Sequence, residues 1–218
     1  MVMSGKSTAC ADLAAILDGV ARGEFPPADG GVTILGQPSE RDAGVIAFTA
    51  HSVIFSSADP DWISAHLPAG DVAAPLSPAF LHTLALHTGR EAHGTDVLTC
   101  ASALASPPPI ELSPEADPAH PRISRALHCR DEVRAWQAEG AVVMIGRGIA
   151  GRWEVAIEVD PEHRGRGLGR TLAIAARHLV PAEAVVWAQI APGNAASVRA
   201  FLAAGFQPVG AETLFVSP

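Results

Sequence analysis

Apolar residues recur in this chain with two periods, and segments of each period alternate along it. Leu13, Ile16, Leu17 and Val20 stand three and four apart, which predicts a helix over 9–21 with Thr8 as its cap. Gly23, Pro26, Pro27, Gly30 and Gly31 then break the chain. Apolar runs at 32–35 and 45–49 predict short strands, and 52–56 continues the second as a hairpin. Asp59-Pro60 and Ser77-Pro78 each place a capping side chain before a proline, which marks two helix starts. Residues 97–101 predict a further strand.

Residues 105–121 contain six prolines. Proline removes backbone donors and blocks regular structure, so this stretch predicts a linker or a long surface loop. It divides the chain into an N-terminal α/β domain at 1–104 and a second domain at 122–218. In the second domain, 125–129 and 132–137 predict strands, with His128 and Cys129 on opposite strand faces and Cys129 as a packing residue. A turn at 138–140 leads to strands at 141–145 and 153–159. Alternation in the latter puts Glu154, Ala156 and Glu158 on one face. A helix at 168–179, a strand at 184–190, a helix at 195–204 closed by Gly205 and a strand at 213–216 complete the pattern.

Composition narrows the class. The chain has 218 residues, of which 48% are hydrophobic and 17% charged. That is too apolar for a disordered chain, and long enough to build a core without disulfide or metal staples. The three cysteines, Cys10, Cys100 and Cys129, form no CxxC pair and suit a reducing cytoplasm. No run approaches the ~20 apolar residues of a membrane span. Asp12 and Asp18 interrupt the N-terminal apolar stretch, which reads poorly as a signal peptide. The histidines of the first half show no metal-ligand spacing, so no metal is expected.

The formal charge of −8 is unevenly spread. Residues 1–121 carry 4 basic and 14 acidic side chains, and 122–218 carry 11 arginines and 9 acids. Net acidity argues against nucleic acid as a partner. The arginine-rich half points instead to a small anionic ligand.

That ligand has an evident place. The stretch from Val159 through Asp160-Pro161 to Arg164, Gly165, Arg166, Gly167, Leu168, Gly169 and Arg170 runs from a strand, through a glycine loop, into a helix. Glycines let backbone N–H groups approach a ligand, and the helix start adds orphan donors and partial positive charge. Such a site suits phosphate or pyrophosphate. The dinucleotide fingerprint fails, because Arg170 stands where the third glycine belongs, and no Gly-Lys-Ser/Thr follows as in a Walker A loop.

Arg164-x-x-Gly167-x-Gly169 resembles the acyl-CoA pyrophosphate loop of the GNAT N-acetyltransferase superfamily. Asn194-x-x-Ser197-x-x-x-Phe201-x-x-x-Gly205-Phe206, after the strand at 184–190, resembles a second motif of that family at the expected distance. The resemblance covers about 122–218. It implies a GNAT-like mixed sheet flanked by helices, with acetyl-CoA as co-substrate in a wedge between two splayed parallel strands. The amides of 164–169 would hold the pyrophosphate, the backbone near Glu158 and Val159 the pantetheine arm, and Asn194 would contact the cofactor. The implied reaction is direct attack of an amine, on a small molecule or a peptide, upon the thioester. Glu154 and Glu158 are the candidate general bases, and His163 is read as a surface loop residue. Nucleic acid and membrane are not expected partners, and a homodimer is one option for the assembly.

One departure stands out. The family commonly has a tyrosine seven residues after the motif asparagine, where it protonates the leaving thiolate. Phe201 occupies that position, and the chain contains no tyrosine. Ser197, water, or departure as the free thiolate would replace it. A non-catalytic acyl-CoA-binding or partner-binding module is the alternative reading.

Overall fold

The computed structural model describes residues 3–114 and 120–217. Two compact units form, one from 1–98 with 209–218 and the other from 99–208. The proline-rich stretch lies inside the second unit, and the last strand returns to the first. Charge follows this division: residues 1–98 with 209–218 carry 4 basic and 12 acidic side chains, while 99–208 carry 11 of each.

In the first unit, helix α1 (Met3–Ala21) begins upstream of Thr8, so Thr8 is a helical residue and not the cap. Its Leu13, Leu17 and Val20 are buried, as their spacing requires. Strands β1 (Val32–Gly36) and β3 (His51–Ser56) pair in parallel, and β2 (Ala43–Phe48) forms an antiparallel hairpin with β3. Helix α2 (Pro60–Ala65) is capped by Asp59, which accepts from the amides of Asp61 and Trp62. Helix α3 (Pro78–Thr88) is capped by Ser77 and closes on Gly89 in the left-handed region. The short β4 (Glu91–Ala92) and β2 both pair antiparallel with the chain's last strand, β10 (Gln207–Val216). Val45, Ile54, Ile63, Leu84 and Phe215 form the core of this unit. Each fully buried aliphatic side chain there contributes about 1.5–3 kcal/mol.

In the second unit, residues 99–102 of β5 (Asp96–Ser102) lie beside β9 (Val185–Ile190). The sheet continues through β8 (Trp153–Val159), β7 (Ala141–Arg147) and β6 (Asp131–Ala138). It is mixed: β6, β7 and β8 are antiparallel neighbours, and β8 and β9 are parallel. Helices α5 (Leu168–Ala176) and α6 (Ala195–Ala203) supply Leu172, Ala173, Ala176 and Phe201 to a core with Val143, Val155 and Val186. Helix α4 (Pro121–Cys129) supplies Ile123 and Ala126 to a second cluster with Val142, Met144 and Ala156. Alternation along β8 and β7 makes these opposite faces, so helices flank the sheet on both sides.

Two local expectations are corrected. Residues 125–129 are helix and not strand: His120 accepts from the Arg122 amide, Pro121 opens the helix, and Ile123 and Ala126 supply its three-residue spacing. His128 and Cys129 therefore lie on a helix, and Cys129 is exposed instead of packed. The proline-rich stretch is not a free tether in its described part. Ile110 and Leu112 pack on the second unit's core, and Ser113 exchanges backbone hydrogen bonds with Gln137. Residues 115–119 of that stretch lie outside the described residues.

Candidate active site

The parallel pairing of β8 and β9 stops almost where it starts. Trp153 pairs with Val186 and Glu154 with Trp187, and no further pairs follow. Val155–Val159 stays paired with β7 along its other edge, through to Ala141 and Val159. The Asp160 amide donates to Gly140 O across the same register. Hydrogen-bonded and non-bonded pairs alternate in an antiparallel ladder. Main-chain groups of Val155, Ile157 and Val159 therefore turn away from β7, toward the open edge, while those of Glu158 turn into the sheet. Of the two residues expected to present backbone there, Val159 does and Glu158 does not.

The glycine loop follows directly. Gly165 and Gly167 have φ of 74° and 84°, the left-handed region that favours glycine. Gly167 is the N-cap of α5 and supplies no side-chain cap, so the first-turn amides of Leu168, Gly169 and Arg170 rely on an outside acceptor. Arg164 bends back and donates from Nε to Val159 O at 3.0 Å, tying the loop to the strand end. Arg166 and Arg170 are exposed. A cation in the first helical turn opposes the helix dipole, so the helix itself does not favour Arg170 there. His163 is not a free loop residue. Its ring lies against Gly140, and Nδ1 is buried without a partner.

Asn194 caps α6, its Oδ1 accepting from the Ser197 amide at 3.1 Å. This uses its carbonyl oxygen and leaves the side-chain NH2 available. Ser197 stands half-buried in the first turn of the same helix. Phe201 is buried and packs edge-to-face on Phe206, with ring centroids 4.9 Å apart.

The two candidate bases differ sharply. Both lie on the α4 side of β8. Glu158 is half-exposed and accepts from Arg122 Nε of α4 at 3.0 Å. Glu154 is buried. Its Oε1 accepts from Arg152 Nε at 2.8 Å and from Gln189 Nε2 at 3.2 Å, and its Oε2 from Arg130 Nε at 2.9 Å. Burial pushes the Glu154 carboxyl up, but the guanidiniums of Arg152 and Arg130 outweigh it and bring it to about 2. A carboxylate so acidic holds its charge but is a weak proton acceptor near neutral pH. Reading from strand alternation alone missed Arg130, Arg152 and Gln189, since their convergence on Glu154 depends on the end of α4 and on β9. Burial pushes the nearby Cys100 thiol up to about 11, so it stays protonated. Among the described residues, no group of three His, Cys, Asp or Glu side chains could hold a metal ion. No helix in them is long and apolar enough to cross a membrane.

Comparison with known proteins bears on the same region. A GCN5-related N-acetyltransferase from Kribbella flavida is similar over 63% of this chain and 63% of its own, with 16% identity and a TM-score of 0.40. A GNAT-family acetyltransferase from Colwellia psychrerythraea aligns over 64% and 62%, at 11% identity and TM-score 0.39. A putative GNAT-family acetyltransferase from Novosphingobium aromaticivorans aligns over 58% and 66%, at 21% identity and TM-score 0.38. The chain thus spans just under two thirds of each of these structures. A search of curated proteins finds no match. The family model for the acetyltransferase (GNAT) family matches residues 114–206, which contain the splayed strands, the glycine loop and the Asn194 cap. Over residues 114–206, this chain is thus similar to the acetyltransferase (GNAT) family.

Proposed function

We propose that the second unit transfers an acetyl group from acetyl-CoA to an amine. Similarity to the GNAT family supports acyl transfer from an acyl-CoA in general. The observation that carries the finer reading is the opening of β8 from β9 beside an uncapped, glycine-led helix start. Acetyl-CoA, when bound, supplies the thioester carbonyl that the acceptor nitrogen attacks. The residues fit that group: orphan amides at 168–170 and the charges of Arg166 and Arg170 suit a pyrophosphate. Ile157 and the amide of Val159 offer main-chain groups on the open edge to an amide-bearing arm, while Val159 O is taken by Arg164. A backbone N–H aimed at developing oxyanion charge is a large stabilising term in acyl transfer.

Glu158 is the group assigned to take the acceptor's proton, directly or through water. An alkyl ammonium titrates near ~10.4, so that proton must be removed before attack. Glu154 then acts as a fixed charge anchoring Arg130 and Arg152. No tyrosine is present to protonate the leaving sulfur, and a thiol with pKa near ~8.5 can leave as the thiolate.

A non-catalytic acyl-CoA-binding module is the second reading. It is favoured by the locked Glu154 and by buried Phe201 at the tyrosine position. One experiment separates the two. The protein is incubated with acetyl-CoA and a panel of amines while free thiol is followed. Turnover with at least one amine is expected. Thermal stabilisation by CoA without turnover across the panel supports the binding module, and neither stabilisation nor turnover overturns both readings.

A further inference from the structure

The first unit carries reactive side chains that acyl-CoA chemistry leaves unused. An open cleft of about 360 Å³ is walled by Ile16 of α1, by Arg22, Phe25 and Pro26 of the following turn, and by Thr33 and His51. Its size is that of a small-molecule site, and its lining mixes apolar side chains with Arg22, Glu24, Thr33 and His51. Thr33 stands on β1 and His51 on the adjacent parallel strand β3. Asp29 Oδ1 lies 2.8 Å from His51 Nδ1, and His51 Nε2 lies 2.9 Å from Thr33 Oγ1.

We propose that Thr33, His51 and Asp29 form a nucleophile–base–carboxylate relay on the wall of this cleft, and that the cleft takes small acyl esters. The hydrogen bonds carry a direction. A carboxylate only accepts, so Nδ1 donates to Asp29, and the relay assigns Nε2 as the acceptor of the Thr33 hydroxyl. Asp29 is fixed in place by a second donor, the Gly31 amide at 2.7 Å. The hydrogen bond from His51 and that from Gly31 both hold its carboxyl below the usual range, so it is charged. His51 is buried by its partners, which holds the ring in this orientation. Nucleophile, base and orienting group in hydrogen-bonded sequence are the geometric signature of an activated hydroxyl. Arg22 stands on the same cleft, its guanidinium donating to Glu24 Oε2 at 3.0 Å, so the pair lines the cleft without a net charge.

In the step assigned, the bond from Thr33 Oγ1 to the acyl carbon forms as the Oγ1 proton passes to His51 Nε2. The ester C–O bond breaks, and the imidazolium returns its proton to the departing oxygen. Water then gives its proton to His51 Nε2 and attacks the acyl carbon, the acyl C–Oγ1 bond breaks, and the proton returns from His51 to Thr33 Oγ1 as the carboxylic acid leaves.

The test uses the whole chain and p-nitrophenyl acetate, without CoA. A burst of p-nitrophenolate approaching one equivalent is expected, with one acetyl group on the tryptic 23–41 peptide at Thr33. Thr33→Val, which keeps the β-branched shape of the strand residue, and His51→Gln are expected to slow the burst by about 10²-fold or more. Thr33→Ser is expected to retain it. Absence of a burst in the wild-type chain, acetylation only at other residues, or a burst unchanged in Thr33→Val overturns the proposal. Should the variants fail to fold, the position of the wild-type label decides alone.

Discussion

Arg152 donates from Nε to Glu154 Oε1 at 2.8 Å, and both side chains are buried. With Arg130 on the other carboxylate oxygen, the network joins the end of α4 to β8. Removing only the negative member leaves two guanidiniums uncompensated. Glu154→Gln is therefore expected to destabilise the protein by about 3–5 kcal/mol, measured by urea unfolding. An unchanged midpoint would show that the network is solvated in solution.

The same pair sets an acid limit. The Glu154 carboxyl is depressed to about 2 in the fold, against an ordinary value near 4.5. Its contribution to stability is thus complete above the ordinary carboxylate range and is lost as pH falls toward about 2. Thermal melts from pH 6 to 2, compared with Glu154→Gln, should converge only at the acid end.

Gly148 sits directly on that carboxylate. A Cβ at 148 would stand 2.2 Å from Glu154 Cδ, far inside contact distance. Gly148→Ala is expected to cost about 1–3 kcal/mol through overpacking, read from the same unfolding curves. A neutral effect would mean that Glu154 has room to retreat.

Gly167 bears on cofactor binding. Its φ of 84° disfavours any L side chain, at about 1–2 kcal/mol. Gly167→Val is expected to weaken CoA binding about tenfold or more by calorimetry, with a smaller change in melting temperature. Equal affinity would place the pyrophosphate elsewhere.

Glu158 separates chemistry from structure. Its ion pair with Arg122 is partly exposed and so contributes little to stability, under about 1 kcal/mol. Glu158→Gln is expected to lower kcat by about 10²-fold with KM for acetyl-CoA and melting temperature nearly unchanged. Retained kcat would remove Glu158 as the base.

How far the site was legible follows the range of the interactions involved. The glycine loop and the Asn194 cap are local: a strand, a turn and a helix start within a dozen residues carry their own pattern, and the structure forms those elements where the pattern placed them. Alternation likewise put Glu154 and Glu158 on one strand face. It could not say that Arg130, Arg152 and Gln189 surround one of them and only Arg122 meets the other. Helix α4 is set by its capped start at His120-Pro121, a signal that lies outside the short apolar run at 125–129.

By itself, then, the sequence determined the elements whose signal is periodic or capped and the strand, glycine loop and helix order of 159–170, since each depends on neighbours in the chain. The tertiary structure alone decided which carboxylate is buried between two guanidiniums and which is half-exposed, which edge of β8 faces the opening, and that Asp29, Thr33 and His51 meet. Those outcomes depend on charge and burial contributed by segments distant in sequence, and no local spacing records them.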